Sequence, residues 1–164
     1  LLLFARSWEA FRSLKQQFFE HTITRRYDAI VHGVPKKAEA RLEMLLAEDP
    51  ETGVVRPTKD MKKGKLAILD YVVVAADRKR DIAHLRCTLF TGRKHQIRVQ
   101  MSAAGHPVLA DPLYGSPGKP PAPSEPPGRL ALHASYLRFV HPTSRREATF
   151  ESQMPGSFAH LFRG

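Results

Sequence analysis

"LAILDYVVVAADRKRDIAHLRCTLF", residues 66–90, decides the fold class, because two β-prone runs flank a short charged break. Leu66 to Ala76 is dense in Val, Ile and Tyr, and Asp81 to Phe90 is a second run of the same kind. Such side chains suit a pleated, half-buried surface. The polar "DRKRD" at 77–81 reads as a turn, so the natural arrangement is an antiparallel hairpin. Cys87 lies inside the second run and is the only cysteine. A disulfide framework is therefore excluded, and the residue reads as a buried structural thiol in a reducing compartment.

Downstream of the hairpin, Lys94 to Ala104 sets Ile97, Met101 and Ala104 on one face and ends at Gly105, which predicts a helix of about three turns. Residues 116–128, "SPGKPPAPSEPPG", hold 6 of the 13 prolines and predict an extended surface loop. "RLALHASYLRFVHP" and "REATFES" then read as two strands, and "GSFAHLF" as a short terminal helix. Upstream, Leu1 to Phe4 reads as the end of a strand. Ser7 caps a helix from Trp8 to His21, whose Trp8, Phe11, Leu14, Phe18 and Phe19 recur at helical spacing. "TRRYDAIVHG" alternates Tyr27, Ala29 and Val31 with other residues and stops at Gly33-Val34-Pro35, the pattern of a half-buried strand. Between Lys36 and Gly64 the chain is highly charged, and "ARLEMLLAED" fits helix or strand equally. The sum is an α+β fold, a mainly antiparallel mixed sheet with flanking helices, in one domain over 1–164. The chain opens in mid-hydrophobic run without an initiator methionine, so the expectation is a domain incomplete at its N-terminus.

Lys and Arg number 26 against 16 Asp and Glu, a formal net charge of +10 with a pI near 10.1. That balance favours a polyanionic partner, with nucleic acid first, an anionic membrane face a weaker choice and a merely solvated basic surface the plain alternative. No apolar run approaches the ~20 residues that span a bilayer, and "LLLFA" is too short for a signal-peptide core. The expected protein is an intracellular monomer, cytoplasmic or in an organellar matrix.

His95, His106, His133 and His141 lack the i, i+4 pairing or the CxxC spacing of a metal site, so no metal is expected. G-x-S-x-G, GxGxxG and P-loop signatures are absent, which argues against serine-hydrolase chemistry and against a nucleotide cofactor. What does stand out is Arg93, Lys94, His95, Gln96, Arg98 and Gln100 crowded at a helix start, a suitable grip for an anionic oxygen. Arg98 sits between Ile97 and Val99, so its guanidinium is expected to be partly buried and to need an acidic partner.

Residues 91–115, TGRKHQIRVQMSAAGHPVLADPLYG, resemble the most diagnostic motif of the RluA-type RNA pseudouridine synthases, usually close to TGRTHQIRVHL followed by GHPILGDPLYG. Three further stretches resemble family segments in order and spacing. "LLLFARSWEAFRSLKQQF" is similar to its LLLLAK-led segment, "RRYDAIVHG" to its K-x-Y-x-A-x-V-x-G strand, and "LALHASYLRFVHP" to its L-x-L-H-A-x-x-L-x-F-x-H-P element. "KKGKLAILDYVV" also stands where the family has GK-A-x-T-x-Y. The resemblance implies a pseudouridine synthase catalytic-domain fold. It also implies isomerisation of uridine to pseudouridine in structured RNA, rRNA or tRNA, with no cofactor and with the target base out of its stack.

It implies that Tyr27 packs against the target base and that Arg98 pairs with the catalytic aspartate, while Arg93, Lys94, His95 and Gln96 contact RNA. The family's aspartate lies in an HRLDxxTSG segment ahead of the LLLLAK run. None of this chain's aspartates falls there, so the chain alone is expected to be inactive. Asp111, in the GHP to DPLYG turn, is read as structural, bonding nearby backbone N–H groups. Lys94 and Gln100 depart from the family's usual threonine and histidine. The competing reading is a non-catalytic RNA-binding or RNA-folding module using the same basic surface.

Overall fold

The structure, a computed structural model, describes residues 1–115 and 129–162; the proline-rich stretch 116–128, and the loop expected there, lie outside the described residues. In chain order the elements are α1 (Trp8–Phe19), β1 (Thr24–His32), β2 (Glu39–Glu48), β3 (Val55–Thr58), β4 (Lys65–Asp77), β5 (Ile82–Leu89), α2 (Gln96–Ala103), β6 (Leu132–Val140), β7 (Glu147–Glu151), α3 (Gly156–Ala159) and a closing 3-10 turn, His160–Phe162. The strands form one sheet in the order β3-β2-β4-β5-β1-β6-β7, with every neighbouring pair antiparallel.

The expected hairpin is the pairing of β4 with β5. Its turn closes because the Asp77 carboxylate accepts from the backbone N–H groups of Lys79 and Arg80, at 2.9 and 3.0 Å, while Asp81 takes a left-handed φ of 51°. Asp is suited to both tasks. "ARLEMLLAED", open on periodicity, is β2, paired along its length to β4; β3, which the charged run concealed, is the sheet's short edge.

Register assigns the faces. Tyr27 stands beside Cys87, and Cys87 beside Tyr71, so these three share one face; Asp28 and Arg86 point to the other. α2 packs on the Tyr27 face, where Val99 meets Ala67, Leu46 and Val55. The closing turn covers the opposite face, with Phe162 against His84 at 6.1 Å between ring centroids. Ala29, Ile30 and Val31 of β1 belong to the main core cluster, with Ile97 and Met101 of α2 and with Phe158 and Leu161 near the C-terminal end. Its residues 28–31 are all buried, more than the half-buried strand that the alternation predicted.

α1 begins as expected, its Ser7 hydroxyl accepting from Ala10 N–H at 3.2 Å, but it ends two residues earlier than expected, at Phe19. His21 is left-handed at φ 57° and cannot continue the helix. Only Leu14 of its apolar stripe is buried, against Ile23, Leu137 and Phe139; Trp8, Phe11, Phe18 and Phe19 are exposed. Leu1 to Phe4 is not a strand, although the amino group of Leu1 donates to Ala134 O at 3.0 Å. α2 is also shorter than predicted, beginning at Gln96, because His95 at φ 53° is a left-handed cap; Gly105, at φ 84°, closes the other end. No helix among the described residues is long and apolar enough to cross a membrane.

Candidate active site

The residues singled out in the sequence fall into two groups on the Tyr27 face. The first surrounds Arg98. Its Nε and Nη2 donate to the two carboxylate oxygens of Asp111 at 2.8 and 2.7 Å, a two-pronged pair whose side chains are 14% and 0% exposed. The expected acidic partner is thus present within the chain, in a residue read from sequence only as a turn former. Asp111 does that as well, since its Oδ1 accepts from the N–H groups of Leu113 and Tyr114, both at 2.9 Å. Burial would raise its pKa, yet Arg98 and the two N–H donors outweigh it and hold the carboxyl below its ordinary value. The hydrogen bonds from Arg98 to Asp111 raise the guanidinium's pKa in turn.

The Arg98 guanidinium also lies over the Tyr114 ring, 4.9 Å from its centroid. The Tyr114 hydroxyl accepts from Val55 N–H at 3.0 Å and reaches His95 Nδ1 at 2.9 Å. A hydroxyl that already accepts has its proton free for Nδ1, which suits a neutral imidazole. The electrostatics agree: burial, then the charges of Arg98 and Lys94, push the His95 pKa down, with Asp111 and Glu48 opposing. This network ties the start of α2, the 111–114 turn and the edge strand β3 into one wall.

The other expected RNA contacts divide. Lys94 is exposed and pairs with Glu48 at 2.6 Å, and the Arg93 side chain donates to Leu66 O at 2.9 Å from an exposed position. Gln96 is different. It is 3% exposed, its Oε1 accepts from the Thr91 hydroxyl and Arg93 N–H, and its Nε2 donates to Ile68 O. The RNA contact expected of Gln96 therefore needs correcting: its amide pins the 91–93 loop to β4, because a buried amide must bond inward. Gln100 is likewise fully buried and donates to Leu42 O and Ala67 O.

The second group surrounds Tyr27. A cavity of about 190 Å³ is lined by Tyr27, Arg25, Phe18, Ala134, Tyr136, Leu137 and the leading leucines. Arg25 and Tyr27 share a face of β1, two residues apart, and no described contact joins Tyr27 to Arg98. Sequence reading passed over Arg25, although the alternation that pointed Tyr27 inward applied to it equally.

On the opposite face a larger cavity, about 590 Å³, is lined by Arg26, Asp28, His84, Arg86, Ser135 and Glu151 among others. Asp28 and His84 are buried there and bonded at 2.7 Å. Burial alone would raise the Asp28 pKa, but His84, Ser135 and Arg86 hold it below the ordinary value. Arg86 Nε lies 3.8 Å from the same carboxylate oxygen. No sequence spacing announces the pair, since the sheet alone brings β1 to β5. Among the described residues no three His, Cys, Asp or Glu side chains gather as a metal site requires.

Comparison with known proteins points to one family. The family model described as RNA pseudouridylate synthase matches residues 1–103. The chain is 35% identical to the ribosomal large subunit pseudouridine synthase D of Zymomonas mobilis, over 99% of this chain and 51% of that protein. It is 34% identical to the protein of the same name from Neisseria meningitidis serogroup B, over 98% and 44%. The dual-specificity RNA pseudouridine synthase RluA of Pasteurella multocida is 35% identical, over 93% and 67%. The chain spans about half the length of the first two relatives.

Among solved structures, human RNA pseudouridylate synthase domain containing 1 superposes with a TM-score of 0.73 at 26% identity, covering 91% of this chain and 62% of that one. Human RNA pseudouridylate synthase domain containing 4, at a TM-score of 0.74 and 20% identity over 94% and 66%, shares the fold. Sheet, motif order and relatives converge: the chain belongs to the RNA pseudouridylate synthase family, in its RluA-type branch.

Proposed function

We propose that this chain is the larger part of the catalytic domain of an RNA pseudouridine synthase that isomerises uridine to pseudouridine in rRNA or tRNA. It would act as a cytoplasmic monomer on structured RNA. The observation that carries the reading is the family match over residues 1–103, which includes both Tyr27 on its cavity-lining strand and Arg98 in its buried pair with Asp111. In the proposed reaction the glycosidic bond from N1 is broken, the uracil turns within the pocket, and C5 is joined to C1′. The product is an isomer of the substrate, and no co-reactant enters. Tyr27 packs against the extruded base. Arg98 is the cation that orients the nucleophilic carboxylate, supplied by the family's HRLDxxTSG segment, and Asp111 holds Arg98 in place. Arg93, Lys94 and His95 line the approach of the RNA backbone, where the positive charge of Arg93 and Lys94 strengthens binding by counterion release.

The test is pseudouridine formation in rRNA and tRNA by protein that carries the upstream segment, with Tyr27→Phe and Arg98→Ala beside it. The expected result is modification by the parent and a large loss of rate in both variants. Unchanged rates in both would reject the site assignment. Full activity from the 164 residues alone would reject the requirement for the upstream carboxylate.

A further inference from the structure

Arg25 is the anomaly of the Tyr27 cavity. Arg41, Arg80, Arg86, Arg98 and Arg138 each face a carboxylate. The described ion pairs give Arg25 none. Its Nη2 donates to Thr91 O at 3.2 Å, and its guanidinium carbon lies 5.4 Å from the centre of the Phe18 ring. Its Nε is buried with no hydrogen-bond partner among the described residues. Burial accordingly draws the Arg25 pKa below its ordinary value, with Tyr27 acting in the opposite sense. A half-buried guanidinium with an idle N–H is unfavourable until an anion arrives.

The surroundings seat the guanidinium at the cavity. A Cβ on Gly92 would stand 2.6 Å from Arg25 Nη1, so the bare glycine leaves the guanidinium its position. Arg25 and Tyr27 alternate on one strand face, which separates their side chains by ~6.6 Å. A nucleobase and the phosphate beside it are spaced comparably. Beside Arg25 and Tyr27 the cavity is lined by Phe18, Ala134, Tyr136, Leu137 and the leading leucines, mostly apolar walls that suit a flat base.

We propose that Arg25 is the phosphate-binding residue of this pocket, taking the backbone phosphate that adjoins the uridine packed on Tyr27. The inference rests on the reading of Tyr27 as the base-contacting residue. An arginine suits the task because its planar fork matches two phosphate oxygens at once.

Titration of the protein with uridine, uridine 5′-monophosphate and uridine 3′-monophosphate, followed calorimetrically, tests it. One of the monophosphates is expected to bind about tenfold more tightly than uridine, the scale of one charge-assisted contact. In Arg25→Gln that advantage disappears while uridine affinity is kept, and in Arg25→Lys, which preserves the charge but not the fork, part of it remains. Tyr27→Ala weakens all three ligands. A monophosphate advantage that is absent from the parent, or that persists undiminished in both Arg25 variants, overturns the proposal for Arg25 alone, provided uridine binding still depends on Tyr27. Should uridine binding be absent or indifferent to Tyr27→Ala, both the inference and the reading beneath it fail.

Discussion

Replacing Asp111 by alanine tests whether the Arg98 pair is a structural keystone of the site wall. The substitution leaves the Arg98 guanidinium, only 14% exposed, without its carboxylate, and it frees the N–H groups of Leu113 and Tyr114. Breaking a buried ion pair from one side costs roughly 3–5 kcal/mol. Relaxation of the turn can recover some of that, so the expected loss is about 4 kcal/mol. For a chain of this size that is a fall of about 12 °C in melting temperature. Asp111→Asn keeps an oxygen for the two N–H donors and is expected to lose about 3 kcal/mol, chiefly the pair itself.

Urea unfolding followed by circular dichroism measures each loss, and a cycle with Arg98→Met isolates the coupling, expected at roughly 2 kcal/mol or more. Because the native Asp111 pKa is depressed, its stabilisation is complete above the ordinary carboxylate value of 3.8 and is lost as pH falls through the native value. The alanine variant should lack that acid-side slope. A loss in Asp111→Ala below about 1 kcal/mol, or strict additivity with Arg98→Met, refutes the reasoning.

His95 gives a second pH signature: its native pKa is depressed below 6.5, so unfolded chains take up the proton first. Stability should decline as pH falls from 6.5 toward the native value, and His95→Gln should flatten that window; a urea midpoint indifferent to pH there would contradict the neutral His95–Tyr114 bond. Cys87 is fully buried, with its thiol pushed up to about 12, so a disulfide-exchange reagent should label it only as fast as the sheet opens. Rapid labelling in native buffer would place Cys87 at an exposed position that the sheet does not give it.

The hairpin at 66–90 was legible because its two runs and its Asp-bounded turn agree at every local level. Motif position singled out Tyr27 and Arg98, which the structure places on the cavity-lining strand and in a buried ion pair. What sequence left hidden depends on residues distant in the chain. The strand state of "ARLEMLLAED" was set by β4, which supplies its hydrogen bonds, rather than by its own periodicity. Gln96 looked like part of a basic, solvent-facing cluster, yet Ile68 and Thr91 draw its amide inward. His95 lies in a helical pattern but breaks it with a left-handed φ that no propensity announces. Asp28 and His84 come together only when β1 docks on β5. In α1 the helical spacing held, but of its apolar stripe only Leu14 is buried.

The position of β1 in the sheet also sets a timetable. Its nine residues, 24–32, lie between β5 at 82–89 and β6 at 132–140, so the strand carrying Arg25 and Tyr27 is made early but paired on both sides only late. Long loops must close before either pairing is rewarded, which slows folding. During synthesis the pocket cannot exist until most of the chain has emerged, since Ala134 and Leu137 are two of its walls. A nascent chain therefore carries Arg25 and Tyr27 well before it carries the finished cavity around them.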